Sequence, residues 1–327
     1  MKIPLARNVV PALAFLAAST VLACNIPVFR YALERWRPDQ CEVVVFHDGP
    51  LSTNQRSLLQ RIPDFGSGSA RASIKIITSD LTQSDAPNRE LWEQIKSNHE
   101  VQLPYVVLRT QISRGRLVNG WHGPLDSQQE SLSKVFQSPA RSELSRRLLA
   151  GHSIVWLMIA SKDAKRNEAT RQQLEDGFGS LANKVKMPEG IGLPGSELHS
   201  EIPLLLRYSV LEIDRDDDSE SFLVQLFSGF HPQAFEQGQP LVVPVFGRGR
   251  ALEVIPAGDL NPRLMEDLTV FLSGACSCQV KDQNPGFDLL LTVDWDTELF
   301  GEGVEPPPVR TTRDREKPQL LTIPPGR

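Results

Sequence analysis

The sequence is poor in the residues that carry sulfur chemistry. Four cysteines stand in 327 residues, at positions 24, 41, 276 and 278, and no two of them have Cys-x-x-Cys spacing. A zinc centre of four Cys or His ligands finds no cluster to build it, so the sequence offers no metal set and implies no cofactor. His47, His99, His122, His152, His199 and His231 are scattered, without a His-Glu-x-x-His pair. A Gly-x-Ser-x-Gly elbow and a Gly-x-x-x-x-Gly-Lys loop are also absent, which leaves no catalytic set of the hydrolase or phosphate-loop kind. Positive charge is lacking too: 35 basic against 40 acidic residues gives a net charge of −5, which excludes an electrostatic nucleic-acid binder. What remains is ordinary globular material, 40% apolar and 23% charged, long enough for two domains. The 25 prolines exceed the usual share of about 5% and punctuate many loops.

The first 24 residues, MKIPLARNVVPALAFLAASTVLAC, place Lys2 and Arg7 ahead of an uncharged stretch from Val9 to Ala23 that ends in small residues. That is an export signal, too short for the ~20 residues of a membrane span. Its end, Val21-Leu22-Ala23-Cys24, resembles the lipobox of bacterial lipoproteins, which implies lipidation of Cys24, a cell-envelope location and a membrane as partner. Ordinary cleavage after Ala23 fits the same residues. Beyond Cys24, Ile26, Phe29, Leu33 and Trp36 recur at helical spacing with Arg30, Arg35 and Arg37 off the stripe. Such a helix suits a membrane surface or its own domain equally well, so residues 24–40 are read as a membrane-proximal segment.

From Cys41 onward, strand-like and helix-like stretches alternate, the mark of α/β architecture. EVVVF (42–46), SIKIIT (73–78), YVVLR (105–109) and residues 116–121 read as strands; residues 52–62, 89–98 and part of 127–137 read as helices. The order βαβαββα then recurs, with strands at 153–160, 204–213, 241–246 and 251–255 and helices at 168–185, 220–227 and 262–272. Ile112-Ser113-Arg114-Gly115-Arg116-Leu117 echoes Phe246-Gly247-Arg248-Gly249-Arg250-Ala251 in the same slot of each half; glycine there suits a hairpin turn, and Arg248 with Arg250 read as a solvated tip. The echo favours duplication. A helix at 139–152, with Pro139 at its first position, joins the halves.

The element order, with a proline just before the third strand of each half (Pro104 and Pro240), resembles the thioredoxin fold. The resemblance implies two tandem thioredoxin-like domains, 41–138 and 153–300, each a three-layer sandwich, with Pro104 and Pro240 as candidate cis-prolines facing a functional loop. In that loop the family carries Cys-x-x-Cys; here stand His47-Asp48-Gly49-Pro50-Leu51-Ser52 and Ser161-Lys162-Asp163-Ala164. Disulfide exchange begins with thiolate attack, so both units are read as redox-dead scaffolds. His47 and Asp48 fill the former active-site loop, as a polar filling or as a general-base pair.

With Cys24 lipidated, Cys41, Cys276 and Cys278 remain, an odd number for an exported chain. Cys41 bridged to one of the pair, a labile Cys276–Cys278 bridge, a soft-metal pair and inert thiols all stay open. The acidic run Asp214 to Glu220 lacks the glycine and the bidentate glutamate of a calcium loop and reads as a connector that caps a helix. DLLLTVDW (288–295) reads as one more strand and residues 301–327 as a disordered proline-rich tail. The expected function is a lipid-anchored, non-catalytic binding or assembly module with a protein partner, recognised by the loops at Pro104 and Pro240 or by the groove between units. The competing reading is an envelope thiol oxidoreductase or metal handler using Cys276 and Cys278.

Overall fold

A computed structural model describes residues 25–65, 73–112, 115–125, 129–276 and 281–308; Cys24, Cys278 and positions 309–327 lie outside the described residues. A short helix, α1 (Val28–Arg35), precedes β1 (Cys41–His47), α2 (Thr53–Arg61), β2 (Ile74–Asp80), α3 (Arg89–Asn98), β3 (Tyr105–Ile112), β4 (Arg116–Pro124) and α4 (Gln129–Phe136). The strands form one sheet in the order β2-β1-β3-β4. β1 runs parallel to β2 and antiparallel to β3, and β3 pairs antiparallel with β4. The crossover through α2 starts at Ser52, which exchanges hydrogen bonds with Gln55 in a capping box, an arrangement that satisfies two otherwise orphaned N–H groups.

The linking helix α5 (Pro139–Leu149) leads into β5 (Ile154–Ile159), α6 (Ala164–Lys184), β6 (Tyr208–Ile213), α7 (Ser221–Ser228), α8 (Pro232–Glu236), β7 (Leu241–Phe246), β8 (Arg250–Ala251), β9 (Ile255–Pro256) and α9 (Pro262–Ser273). This half repeats the sheet order: β6-β5-β7, then β8 and β9 sharing the next position. The equivalent of β4 is thus broken by Leu252–Val254. β10 (Phe287–Asp288) extends the edge beside β8, and α10 (Trp295–Phe300) follows. The expected strand at 288–295 is therefore corrected: only Phe287 and Asp288 pair, and Asp294 caps a helix that absorbs Trp295. α8 was not expected either, since five residues after a proline carry too little periodicity to be read.

Side chains alternate across both sheets, as the strand repeat of two requires. Val44, Phe46, Tyr105 and Val107 pack against Leu91, Trp92 and Ile95 of α3. The opposite face, with Val43, Val45, Val106 and Leu108, shares one core with Val155, Leu157, Ile159, Val243 and Val245 of the second sheet and with residues of α2, α4, α5 and α7. The second sheet's other face, with Ile154, Trp156 and Met158, packs against α1, α6 and α9. The halves are therefore not two independent sandwiches; one helical layer serves both sheets. The acidic run joins them as well. Glu220 accepts from Ser138 Oγ (2.6 Å) and from Ala140 N (2.7 Å), so it caps α5 rather than its own helix, and Asp217 caps the turn at Ser219.

The structure decides between the two readings of α1 and corrects that of Arg248 and Arg250. α1 is buried along its whole length, so it packs on its own domain and is not a membrane-surface helix. Its Glu34 pairs with Arg30 (2.9 Å) and Arg35 (3.0 Å) and accepts from the backbone N–H groups of His199 and Ser200. Such a pair persists in the interior because every partner is satisfied. The turn carrying Arg248 and Arg250 is equally buried, each arginine being 4% exposed. Arg248 donates to the carbonyls of Leu33 and Glu34 at the end of α1 and pairs with Asp296 at 2.7 Å. Arg250 donates to Asn284, Pro285 and Gly286 carbonyls and pairs with Asp288. The supposed tip is a clamp because α1 and the chain after residue 280 close over it.

Replacing Arg248 with alanine strands two carbonyls and one carboxylate, and it should cost about 3 kcal/mol of unfolding free energy. Arg116, exposed at the equivalent turn of the first half, should tolerate alanine within about 0.5 kcal/mol. Urea melts of the two variants check both values, and equal losses would refute the asymmetry.

Candidate functional site

β1 ends at His47, and the next residues turn away over Gly49, whose φ of +99° with no atom near its missing Cβ marks a conformational rather than a steric need for glycine. His47 Nδ1 lies 2.7 Å from Gly49 O. A carbonyl only accepts, so Nδ1 carries the proton of this hydrogen bond. Asp80, opposite His47 in the parallel register, accepts from Gly49 N, Thr82 N and Thr82 Oγ1. Those bonds, led by the Thr82 hydroxyl, hold its carboxyl below the ordinary value. Asp48 is exposed, and the hydrogen bond that orients His47 goes to Gly49, not to Asp48.

The Leu103–Pro104 peptide is cis. Pro104 stands one position past the Phe46–Tyr105 pair, which by register brings it beside His47, and its carbonyl accepts from Leu125 N. The expectation for Pro240 is corrected, because among the described residues the only cis bond is at Pro104. Pro240 keeps the trans bond that X-Pro normally prefers, even though its carbonyl meets Ala257 N in the way Pro104 meets Leu125. Around it the exposed loop of the second half is held by hydrogen bonds: Ser161 N donates to Asn167 Oδ1, Asp163 accepts from Lys165 N to cap α6, and Arg166 donates to the carbonyls of Gln237 and Gly238.

Cys41 lies at the opposite end of β1 from His47, roughly 20 Å away at ~3.3 Å per strand residue. It is a free, buried thiol whose pKa burial pushes up to about 12, far from the thiolate that exchange chemistry needs. Cys276 is 1% exposed, and its N–H donates to Ile26 O. Among the described residues no group of three or more His, Cys, Asp or Glu side chains is placed to hold a metal ion.

The groove between the halves, the alternative recognition surface, gathers side chains that lie far apart in the sequence. A cleft of about 450 Å³ opens between the halves, lined by α3, β4, α7 and α8. Gln94, Asn98, Asn119 and Gln225 bring side-chain amides to it, Glu236 a carboxylate, and His99 and His122 their rings. The two rings lie 4.3 Å apart between centroids. His122 Nδ1 is 2.7 Å from the Tyr105 hydroxyl, and its backbone N–H donates to Gln225 Oε1. Burial, and then the neighbouring His99, lower the His122 pKa. α7 comes this near β4 because residue 120 is glycine; a Cβ there would stand 3.1 Å from Leu226 Cδ1. Nothing local in the sequence links His99, at the end of a helix, with His122, within a strand. Only the register that sets His122 opposite Val107, near Tyr105, could have suggested the pairing.

No protein-family model, no curated protein and no solved structure matches the chain. No helix among the described residues is long and apolar enough to cross a membrane.

With its pKa lowered from the ordinary 6.5, folded His122 resists a proton that the unfolded chain accepts. Its stabilising share is complete above that ordinary value and is lost as pH falls through it toward the folded value. His122→Gln, which can still accept from Tyr105, should therefore flatten part of the decline in urea midpoint between pH 7 and pH 5. His152, also lowered by burial, keeps the remainder. An unchanged decline in the variant would show that His122 is not held neutral.

Proposed function

We propose that the protein is a lipid-anchored cell-envelope module that binds a protein partner without catalysis, on a tandem thioredoxin-like scaffold that has lost its redox centre. Two sheets of equivalent strand order support the scaffold reading. So does the placement of helices: in each half the first and third pack on one face of the sheet and the second on the other. Cys24 carries the anchor in this reading.

The observation that carries the proposal is the contrast between the loops and the cleft. Neither functional-loop position holds a thiol, and the second is tied down by hydrogen bonds to Asn167 and from Arg166. The cleft between the halves, by comparison, offers amides, a carboxylate and two imidazoles. Groups of that kind, both donors and acceptors, suit the backbone and polar side chains of an extended protein segment, and a rigid scaffold on either side holds them in place.

Two measurements test the reading. Purified protein should turn over a model dithiol no faster than a Cys276→Ser/Cys278→Ser variant; wild-type turnover at an enzymatic rate that vanishes in the variant would install the oxidoreductase instead. A photo-crosslinking side chain placed at Asn119 in the cleft should capture one discrete partner in cells, while the same group at exposed Arg116 should not. Equal capture at the two positions would remove the cleft as the recognition surface.

A further inference from the structure

Among the described residues four large apolar side chains stand exposed: Leu193 (61%), Val270 (51%), Phe271 (37%) and Val304 (54%). Three of them flank one point of the chain. Val28 N donates to Gly274 O and Cys276 N to Ile26 O, closing an antiparallel bridge between Pro27 and Ala275. The last turn of α9, which carries Val270 and Phe271, ends against that bridge, with Gly274 N donating to Val270 O. On the other flank Asn25 N donates to Ser196 Oγ, and Ser196 N donates to Leu193 O. Leu193 sits in a tight turn between Gly190 and Ser196, and a Cβ on Gly190 would come within 2.9 Å of the Asn25 amide. Asn25 is thus tied on one side to the turn of Leu193 and on the other, through Pro27, to the end of α9 that carries Val270 and Phe271, and Cys24 immediately precedes it in the sequence.

We propose that Leu193, Val270 and Phe271 form a bilayer-contacting face around the anchor, which presses into the lipid interface when Cys24 carries its acyl chains. The proposal rests on the lipid-anchor reading of Cys24. An acylated residue lies at the membrane surface, so the segments whose backbone is hydrogen-bonded to its neighbours lie near that surface as well. Apolar side chains buried at the interface add to the attachment that the acyl chains provide. The charges nearby are mixed, with Arg263 paired to Asp267 and Lys184 to Glu266 on one flank and Lys186, Glu189 and Glu197 on the other, so the contact is apolar rather than polybasic and is insensitive to salt. The role that the Ile26, Phe29, Leu33 and Trp36 stripe could have filled passes to this face, since that stripe is buried.

The test uses the full-length, lipid-processed protein bound to phosphatidylethanolamine/phosphatidylglycerol vesicles whose acyl chains are brominated near the headgroup. The five native tryptophans are all buried and should be shielded from the bromine. A Phe271→Trp variant should gain fluorescence that these vesicles quench at least twofold more than unbrominated ones. In parallel, Leu193→Ser/Val270→Ser/Phe271→Ser should keep its melting temperature yet leave the vesicles at least tenfold faster, at low and high salt alike. Quenching no greater than in the parent overturns the face. Mass analysis of the N-terminal peptide reads the anchor separately: acylated Cys24 without quenching removes the face alone, whereas unmodified Cys24 removes the anchor reading and the face with it.

Discussion

The arginine pair in the turn between β7 and β8 is the interaction on which the arrangement of the whole second half depends. Arg248 reaches the last carbonyls of α1, where positive charge complements the helix end, and Arg250 holds the carbonyls of residues 284–286 and the carboxylate of Asp288. Two segments far apart in sequence are thereby fixed to the same two-residue strand. Lys281 and Asp39 extend the network, Lys281 pairing with both Asp39 and Asp288. Asp288 is fully enclosed, and burial alone would favour its neutral form; the adjacent Lys281 and Arg250 outweigh that and keep it charged. A buried network of this kind is strongly destabilising when half satisfied, so the N-terminal helix, the hairpin and the C-terminal strap stand or fall together.

The two halves show how one topology can be put to different uses. In the first, the turn between the paired late strands begins β4 with an exposed Arg116; in the second, the corresponding turn is interior. The loop after the first strand leaves Asp48 and Pro50 exposed in the first half and Lys162, Asp163 and Ala164 exposed in the second, where Asn167 and Arg166 hold the backbone by hydrogen bonds. The sheet of the second half is enclosed by α1, α6 and α9 on one face and by the shared helical layer on the other. The first half keeps an accessible surface on α3 and β4, and the cleft forms where that surface meets α7 and α8.

The strands and most helices were legible because their signals are local: EVVVF, SIVWLMIA and LVVPVF are buried runs, and Ser52, Ser138 and Asn261 cap the helices that follow them. What could not be read depends on distant partners. A Gly-Arg-Gly-Arg turn has the composition of a solvated tip, and it takes α1, more than 200 positions earlier, and Asp296 in the later chain to make Arg248 interior. The same holds for Arg30 and Arg35, which looked like the polar side of a surface helix until residues 197–200 supplied their carbonyls. His99 and His122 were dismissed as scattered because neither helix nor strand periodicity relates positions 23 apart; an antiparallel register and a helix end bring them together.

Alternation in the central strand of the second sheet also orders the two surfaces relative to each other. Val155, Leu157 and Ile159 face the core shared with the first half, while Ile154, Trp156 and Met158 face α1, α6 and α9. α7, which lines the cleft, packs on the first side; α9, which carries Val270 and Phe271, packs on the second. A sheet buried on both faces admits no slip of one residue without turning every side chain to the wrong layer, so this opposition is fixed by the pattern of the strand itself. If α9 lies against the bilayer, the cleft and its paired imidazoles are on the far side of the sheet, turned toward the aqueous compartment where a protein partner would arrive.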